Sequence, residues 1–172
     1  PFGGTVIAVP TGASIGSIVN QASGRVTEGA LSFGAAIANE GSIGTISNAG
    51  TLLGSGTADS AISIASTATV GTIANVGSAS AIFGTGLGSA GINSSGTIGT
   101  LTNAGTISTT GHGVTIAAGS VGSIANASSG TIITTGGGNS GIVVGTSATV
   151  ASLTNLGTVA GTGVLTRGIS VA

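Results

Sequence analysis

The chain contains no cysteine, lysine, methionine, tryptophan or tyrosine, and only two prolines. The lack of cysteine removes disulfides as a source of stability, and fits a secreted chain stabilised by repetition. Charge is almost missing. Arg25, Glu28, Glu40, Asp59 and Arg167 are the only formal charges, 3% of 172 residues against about a quarter in an ordinary globular domain. A surface this neutral excludes nucleic acid as a partner, because phosphate binding needs clustered Lys and Arg. No apolar run approaches the ~20 residues a membrane span needs. No signal peptide is present, and the first residue is Pro1 and not Met, so the chain is expected to be processed or to be a segment of something longer.

What remains is glycine, 35 residues of it, with Ala, Ser, Thr, Val, Ile and Asn. Disorder requires low hydrophobicity and high net charge, whereas mean hydropathy is +0.67 and net charge −1. The chain can therefore collapse. Its β-branched residues favour strands, and its scattered glycines make long helices costly, at about 1 kcal/mol each relative to Ala.

One motif recurs six times: aliphatic, small, Ser/Thr, Ile/Leu, any residue, Asn. It reads IGSIVN from Ile15, IGTISN from Ile43, VGTIAN from Val70, IGTLTN from Ile98, VGSIAN from Val121 and VASLTN from Val150. Its asparagines are Asn20, Asn48, Asn75, Asn103, Asn126 and Asn155, spaced by 28, 27, 28, 23 and 29 residues. A glycine follows each (Gly24, Gly50, Gly77, Gly105, Gly130, Gly157), then an apolar residue (Val26, Leu52, Ala79, Ile107, Ile132, Val159). An alternating apolar pair closes each unit: Ile62 with Ile64, Val114 with Ile116, Ile142 with Val144, Ile169 with Val171. Ile37 and Ile92 are weaker versions with Ala in the partner slot, and Ile7 with Val9 opens the chain in the same pattern.

Three strand signals per unit, none long enough for an independent sheet, predict a winding chain. The expected fold is an all-β parallel β-solenoid occupying residues 1–172 as a single domain. It has about six coils of roughly 27 residues, with three short strands per coil. Equivalent strands stack about 4.8 Å apart, giving a rise of roughly 29 Å. The Asn row is read as structural: stacked amides hydrogen-bond between coils, and Asn tolerates a left-handed backbone. The following Gly is expected to supply a positive φ.

Runs such as TISNAGTL (Thr45 to Leu52) and TLTNAGTIS (Thr100 to Ser108), repeated with a later G-I-x-I-type strand, resemble bacterial autotransporter passenger domains and filamentous-haemagglutinin-type secreted adhesins. The resemblance covers essentially the whole chain. It implies a right-handed parallel β-helix, secretion to the bacterial cell surface, and work in adhesion or biofilm.

Catalytic chemistry is not expected. Glycoside hydrolysis needs two carboxylates at a defined separation. Glu28 and Asp59 fall between second and third strands, where they become neighbours on adjacent coils, but no Lys or Arg recurs there to polarise a substrate. Glu40 falls in the turn after a third strand. His112 is the only histidine. It lacks the partners of a metal site or triad and reads as a solvated turn residue. The matches to G-x-G-x-x-G beginning at Gly86 and Gly136 are at chance level, roughly one being expected from glycine content alone. The sequons at Asn93 and Asn126 are similarly weak. Arg25 and Glu28 read as a surface ion pair. Phe33 and Phe83 read as local core cover, with an exposed contact for another chain as the alternative.

These readings give an extracellular structural or adhesive stalk with no catalytic residue, no cofactor and no metal. Its expected partner is a host or neighbouring cell surface, or another copy of itself. Two alternatives stand beside it. A self-assembling filament subunit would join end to end through Ile7 and Val9 on one side and Ile169 and Val171 on the other. An ice-binding solenoid would use outward pairs such as Thr45 with Ser47, Thr100 with Thr102 and Ser152 with Thr154, a pattern interrupted at Val19, Ala74 and Ala125.

Overall fold

The computed structural model describes residues 4–29 and 34–172. Every regular element in them is a β-strand. In chain order these are β1 (Ile7–Val9), β2 (Ser14–Asn20), β3 (Arg25–Thr27), β4 (Ala35–Asn39), β5 (Ser42–Asn48), β6 (Thr51–Gly54), β7 (Ser60–Ile64), β8 (Thr69–Asn75) and β9 (Ala81–Gly84). There follow β10 (Ala90–Ser94), β11 (Thr97–Asn103), β12 (Thr106–Thr109), β13 (Val114–Asn126), β14 (Thr131–Thr134), β15 (Ser140–Asn155), β16 (Thr158–Gly161) and β17 (Arg167–Val171).

All pairings are parallel, and each strand pairs with its equivalent one coil on. The first-strand ladder runs β2-β5-β8-β11-β13-β15, the second β3-β6-β9-β12-β14-β16 and the third β1-β4-β7-β10-β13-β15-β17. The chain is a parallel β-solenoid of about six turns. β13 and β15 are long because each runs unbroken from a third-strand slot into the next first-strand slot, which merges two ladders into one sheet.

The aliphatic positions of the repeat stack as inward columns. Ile15, Ile43, Val70, Ile98, Val121 and Val150 are in register, as are Ile18, Ile46, Ile73, Leu101, Ile124 and Leu153. Ile37, Ile62, Ile92, Val114 and Ile142 form the third-strand column, each completely buried. Each such side chain removed from water contributes about 1.5–3 kcal/mol. Among the described residues this core holds no aromatic side chain, and branched aliphatics make up most of its columns.

The structure corrects three details of the repeat. Coil three reaches its second strand later than its neighbours: Ile82, and not Ala79, registers with Leu52 and Ile107. Gly77 consequently leaves the glycine row. Ser80 takes its place, bonded where Gly50 and Gly105 are bonded in the flanking coils.

The row glycines are also not chosen for backbone handedness. Gly77, in the enlarged turn, has φ 86, while the members that remain in the row do not have positive φ. None of the six asparagines is left-handed either; among the described residues the non-glycine residues with positive φ are Ala58 and Leu165. The row is small for a steric reason. A Cβ on Gly50 would lie 2.2 Å from the carbonyl oxygen of Gly24, and one on Gly157 at 2.2 Å from that of Gly130.

The third correction concerns the slot two residues after Ile37 and Ile92. It holds Asn39 and Ser94, both inward-facing, in a column otherwise made of Val9, Ile64, Ile116 and Val144. Asn39 satisfies itself by donating to the Thr69 carbonyl and accepting from Gly41 N–H. Ser94 Oγ is buried without a hydrogen-bond partner among the described residues.

Candidate functional site

The outer face of the first-strand ladder carries the most regular polar pattern of the described surface. In β2 the inward residues are Ile15, Ile18 and Asn20, so the alternation breaks at Gly16–Ser17 and two successive residues face out. The same break recurs in β5, β8 and β11. Hydroxyl columns flank it. One comprises Ser14, Ser42, Thr69, Thr97, Ser120 and Thr149; the other comprises Ser17, Thr45, Thr72, Thr100, Ser123 and Ser152. Both are unbroken through all six coils.

The sequence reading paired the second column with the interrupted one at Val19, Ala74 and Ala125, and missed the first. The signal was available: a Ser or Thr precedes the aliphatic residue in every copy of the motif. Between the columns run Gly16, Gly44, Gly71, Gly99 and Gly122. A Cβ on any of the last four would sit 2.4–2.5 Å from the glycine carbonyl oxygen one coil below.

Behind this face runs a ladder of amides. Asn20 Nδ2 donates to Asn48 Oδ1 at 2.7 Å, and the chain continues Asn48 to Asn75, Asn75 to Asn103, Asn103 to Asn126 and Asn126 to Asn155, each at 2.8 Å. Nδ2 also reaches backbone carbonyls in its own coil and the next: Asn48 donates to Gly50 O at 3.1 Å and to Ala81 O at 3.0 Å. Asn48, Asn75, Asn103 and Asn126 are buried, so the amides are occupied by the stack and not offered to solvent. For the same reason the Asn126 sequon is closed, while Asn93 is exposed on β10.

The remaining polar chemistry is dispersed. Among the described residues no group of three or more His, Cys, Asp or Glu side chains comes together. His112 is half-buried and not a free turn residue: its Nδ1 accepts from Ser140 N–H at 2.9 Å, tying the shortest loop to the coil above. Glu40, half-buried, lines a shallow cleft of about 260 Å³ with Thr11, Ser14, Ser42, Thr67 and Thr69.

Glu28 is not a surface partner of Arg25. Arg25 is exposed and Glu28 is fully buried, its Oε2 accepting from the N–H groups of Ser55 at 3.0 Å and Gly56 at 3.2 Å on the next coil. Asp59 is buried beside it. The two G-x-G-x-x-G matches lie in strand–loop–strand segments with no helix following, and their glycines serve the loops: Gly88 and Gly138 have φ 72 and 76. Phe83 is half-buried on β9 beside Ser108, in a cleft of about 290 Å³ lined with threonines; Phe33 lies outside the described residues.

At the ends of the stack, Ile169 and Val171 are 41% and 73% exposed, Ile7 is half-buried, and Val9 is already covered at 1%. Comparison of the chain with family models, with curated proteins and with solved structures finds no match.

Proposed function

We propose that the chain is a rigid, non-catalytic stalk segment of an extracellular adhesin of the autotransporter-passenger or filamentous-haemagglutinin kind, working at a bacterial surface in adhesion or biofilm. The observation that carries this is the division of polar chemistry. Amides, buried carboxylates and the histidine are spent on coil-to-coil bonds. The outer face of the first-strand ladder carries two continuous columns of small hydroxyls. Such an array suits many weak, repeated contacts along a rod and not one tight ligand, and multivalency then supplies avidity. A right-handed winding and a cell-surface location belong to the same reading.

The test is adhesion of chain-coated beads to bacterial cells, comparing wild type with Thr72→Ala/Thr100→Ala/Ser123→Ala. The variant is expected to keep its circular dichroism and melting midpoint and to lose adhesion. Beads that bind no better than albumin-coated controls, or a variant that binds as well as wild type, would sink the reading.

A second reading, end-to-end stacking, is favoured by the polarity of the amide ladder. From Asn20 to Asn126 each Nδ2 donates to the amide one coil on, so among the described residues the ladder leaves Asn20 Oδ1 as an unused acceptor on one side and Asn155 Nδ2 as an unused donor on the other. Another copy, laid head to tail, matches donor to acceptor in a contact that does not close. Electron microscopy across a concentration series separates the readings: long unbranched fibres support stacking, and short monodisperse rods at every concentration remove it.

A further inference from the structure

Of the three carboxylic side chains in the sequence, two are buried side by side at the joint between the first and second coils. Glu28 follows β3 at the position that registers with Gly54, and its side chain turns inward over the loop of the next coil. There it accepts from Ser55 N–H and Gly56 N–H through Oε2, while its own carbonyl accepts from the Ser55 hydroxyl. Asp59, at the far end of that loop, accepts from Gly34 N–H at 2.8 Å through Oδ1. The two carboxyls thus hold both ends of the first-coil loop against the second-coil loop.

They also act on each other. Asp59 Oδ2 is buried without a hydrogen-bond partner among the described residues, and the neighbouring Glu28 carboxyl raises the Asp59 carboxyl both by its charge and by its side-chain hydrogen bond. Two ionised carboxylates are both acceptors and repel. Only a proton held between them turns this contact into a bond. We propose that Glu28 and Asp59 are a proton-sharing carboxyl pair that latches coil one to coil two, and that loss of the shared proton to solvent loosens this joint while the rest of the stack holds.

No other ionisable group competes for the role. Arg25 is exposed on β3, Glu40 lies in the turn after β4, His112 on the loop of the fourth coil and Arg167 at the start of β17. Residues 30–33 are Ala, Leu, Ser and Phe, which do not titrate. Burial raises the Asp59 carboxyl above its ordinary 3.8, and the charge and side-chain hydrogen bond of Glu28 push the same way, outweighing the N–H groups of Gly34 and Gly56. A folded-state value above the unfolded one means that the native chain keeps a proton the unfolded chain gives up. The stabilisation is therefore complete below about 3.8 and is lost as pH rises through the native value. This is opposite in sign to an ion-paired carboxylate.

The test has two readouts on the 172-residue chain. In a carboxyl ¹³C titration Asp59 is expected to change ionisation above its ordinary 3.8, and amide exchange at Gly34, Ser55 and Gly56, corrected for intrinsic rate, is expected to accelerate across the same transition. Asp59→Asn replaces the proton with an amide hydrogen, so its melting midpoint should exceed wild type above the transition and show less dependence on pH. Three results would overturn the proposal: an Asp59 titration at or below its ordinary 3.8, exchange at those amides that ignores it, or millimolar Ca²⁺ restoring the midpoint of wild type at high pH, which would make a cation and not a proton the occupant. If Asp59→Asn fails to fold, the titration and exchange on wild type decide alone.

Discussion

A glycine can be required by its backbone angle or by its neighbours, and in this chain neighbours decide more often. Gly16 and Gly99 occupy the same place in the repeat. Gly16 has nothing within 4 Å of an added Cβ, whereas one on Gly99 would lie 2.4 Å from the carbonyl oxygen of Gly71. Ala151 occupies the same place in the last coil, where it stacks over Gly122. Gly99→Ala is therefore expected to cost about 1–3 kcal/mol, as overpacking does, and Gly16→Ala to stay within about 0.5 kcal/mol; urea unfolding measures both. Equal effects would show that the column is set by something other than the approach of successive coils. The sequence shows that these positions are small in every copy, but not which have a coil beneath them.

At the scale of the strand, the pattern of alternating apolar residues was enough to place the ladders, because branched aliphatics at fixed spacing can only be buried by stacking on their copies. It failed where one coil borrows residues from a turn. Ala79 reads as the apolar member of coil three because it follows Gly77 at the usual distance, yet the wider turn delays the strand and Ile82 fills the column. Counting from a glycine assumes a turn of constant length, and turns are where a solenoid tolerates insertion. The polar guests were also illegible. Asn39 finds partners within its own corner, but Ser94, between Ile64 and Ile116, does not. A buried hydroxyl without a partner costs about 1–3 kcal/mol. Ser94→Ala is accordingly expected to raise the melting midpoint, with a gain of about 1 kcal/mol in urea unfolding. A loss instead would mean that the hydroxyl is held by a bound water.

For the molecule as a whole, each coil touches only the coils above and below, so stability is close to a sum over joints. Removing residues 70–97 joins Thr69 to Ile98, which stands in the register of Val70, and carries every column across the cut. The shortened chain is expected to fold to the same β signature, with a lower midpoint and a denaturant slope reduced by about a sixth. A slope unchanged or a chain unfolded would show that the coils are not interchangeable. The outer face was the least legible level, since hydroxyl columns form only when coils align and no single repeat displays one. The stacking bonds all lie along one line, from Asn20 Nδ2 to Asn155 Oδ1, with the strand hydrogen bonds parallel to it. A pull along that line does not load every bond at once: it peels the outermost coil first. Each coil that lets go pays out 23–29 residues, roughly 75–105 Å of extended chain. A cell tethered through such a rod would be held by a stiff spacer under light load and by a stepwise-lengthening cable under heavy load, dissipating work at each step before the anchor itself gives way.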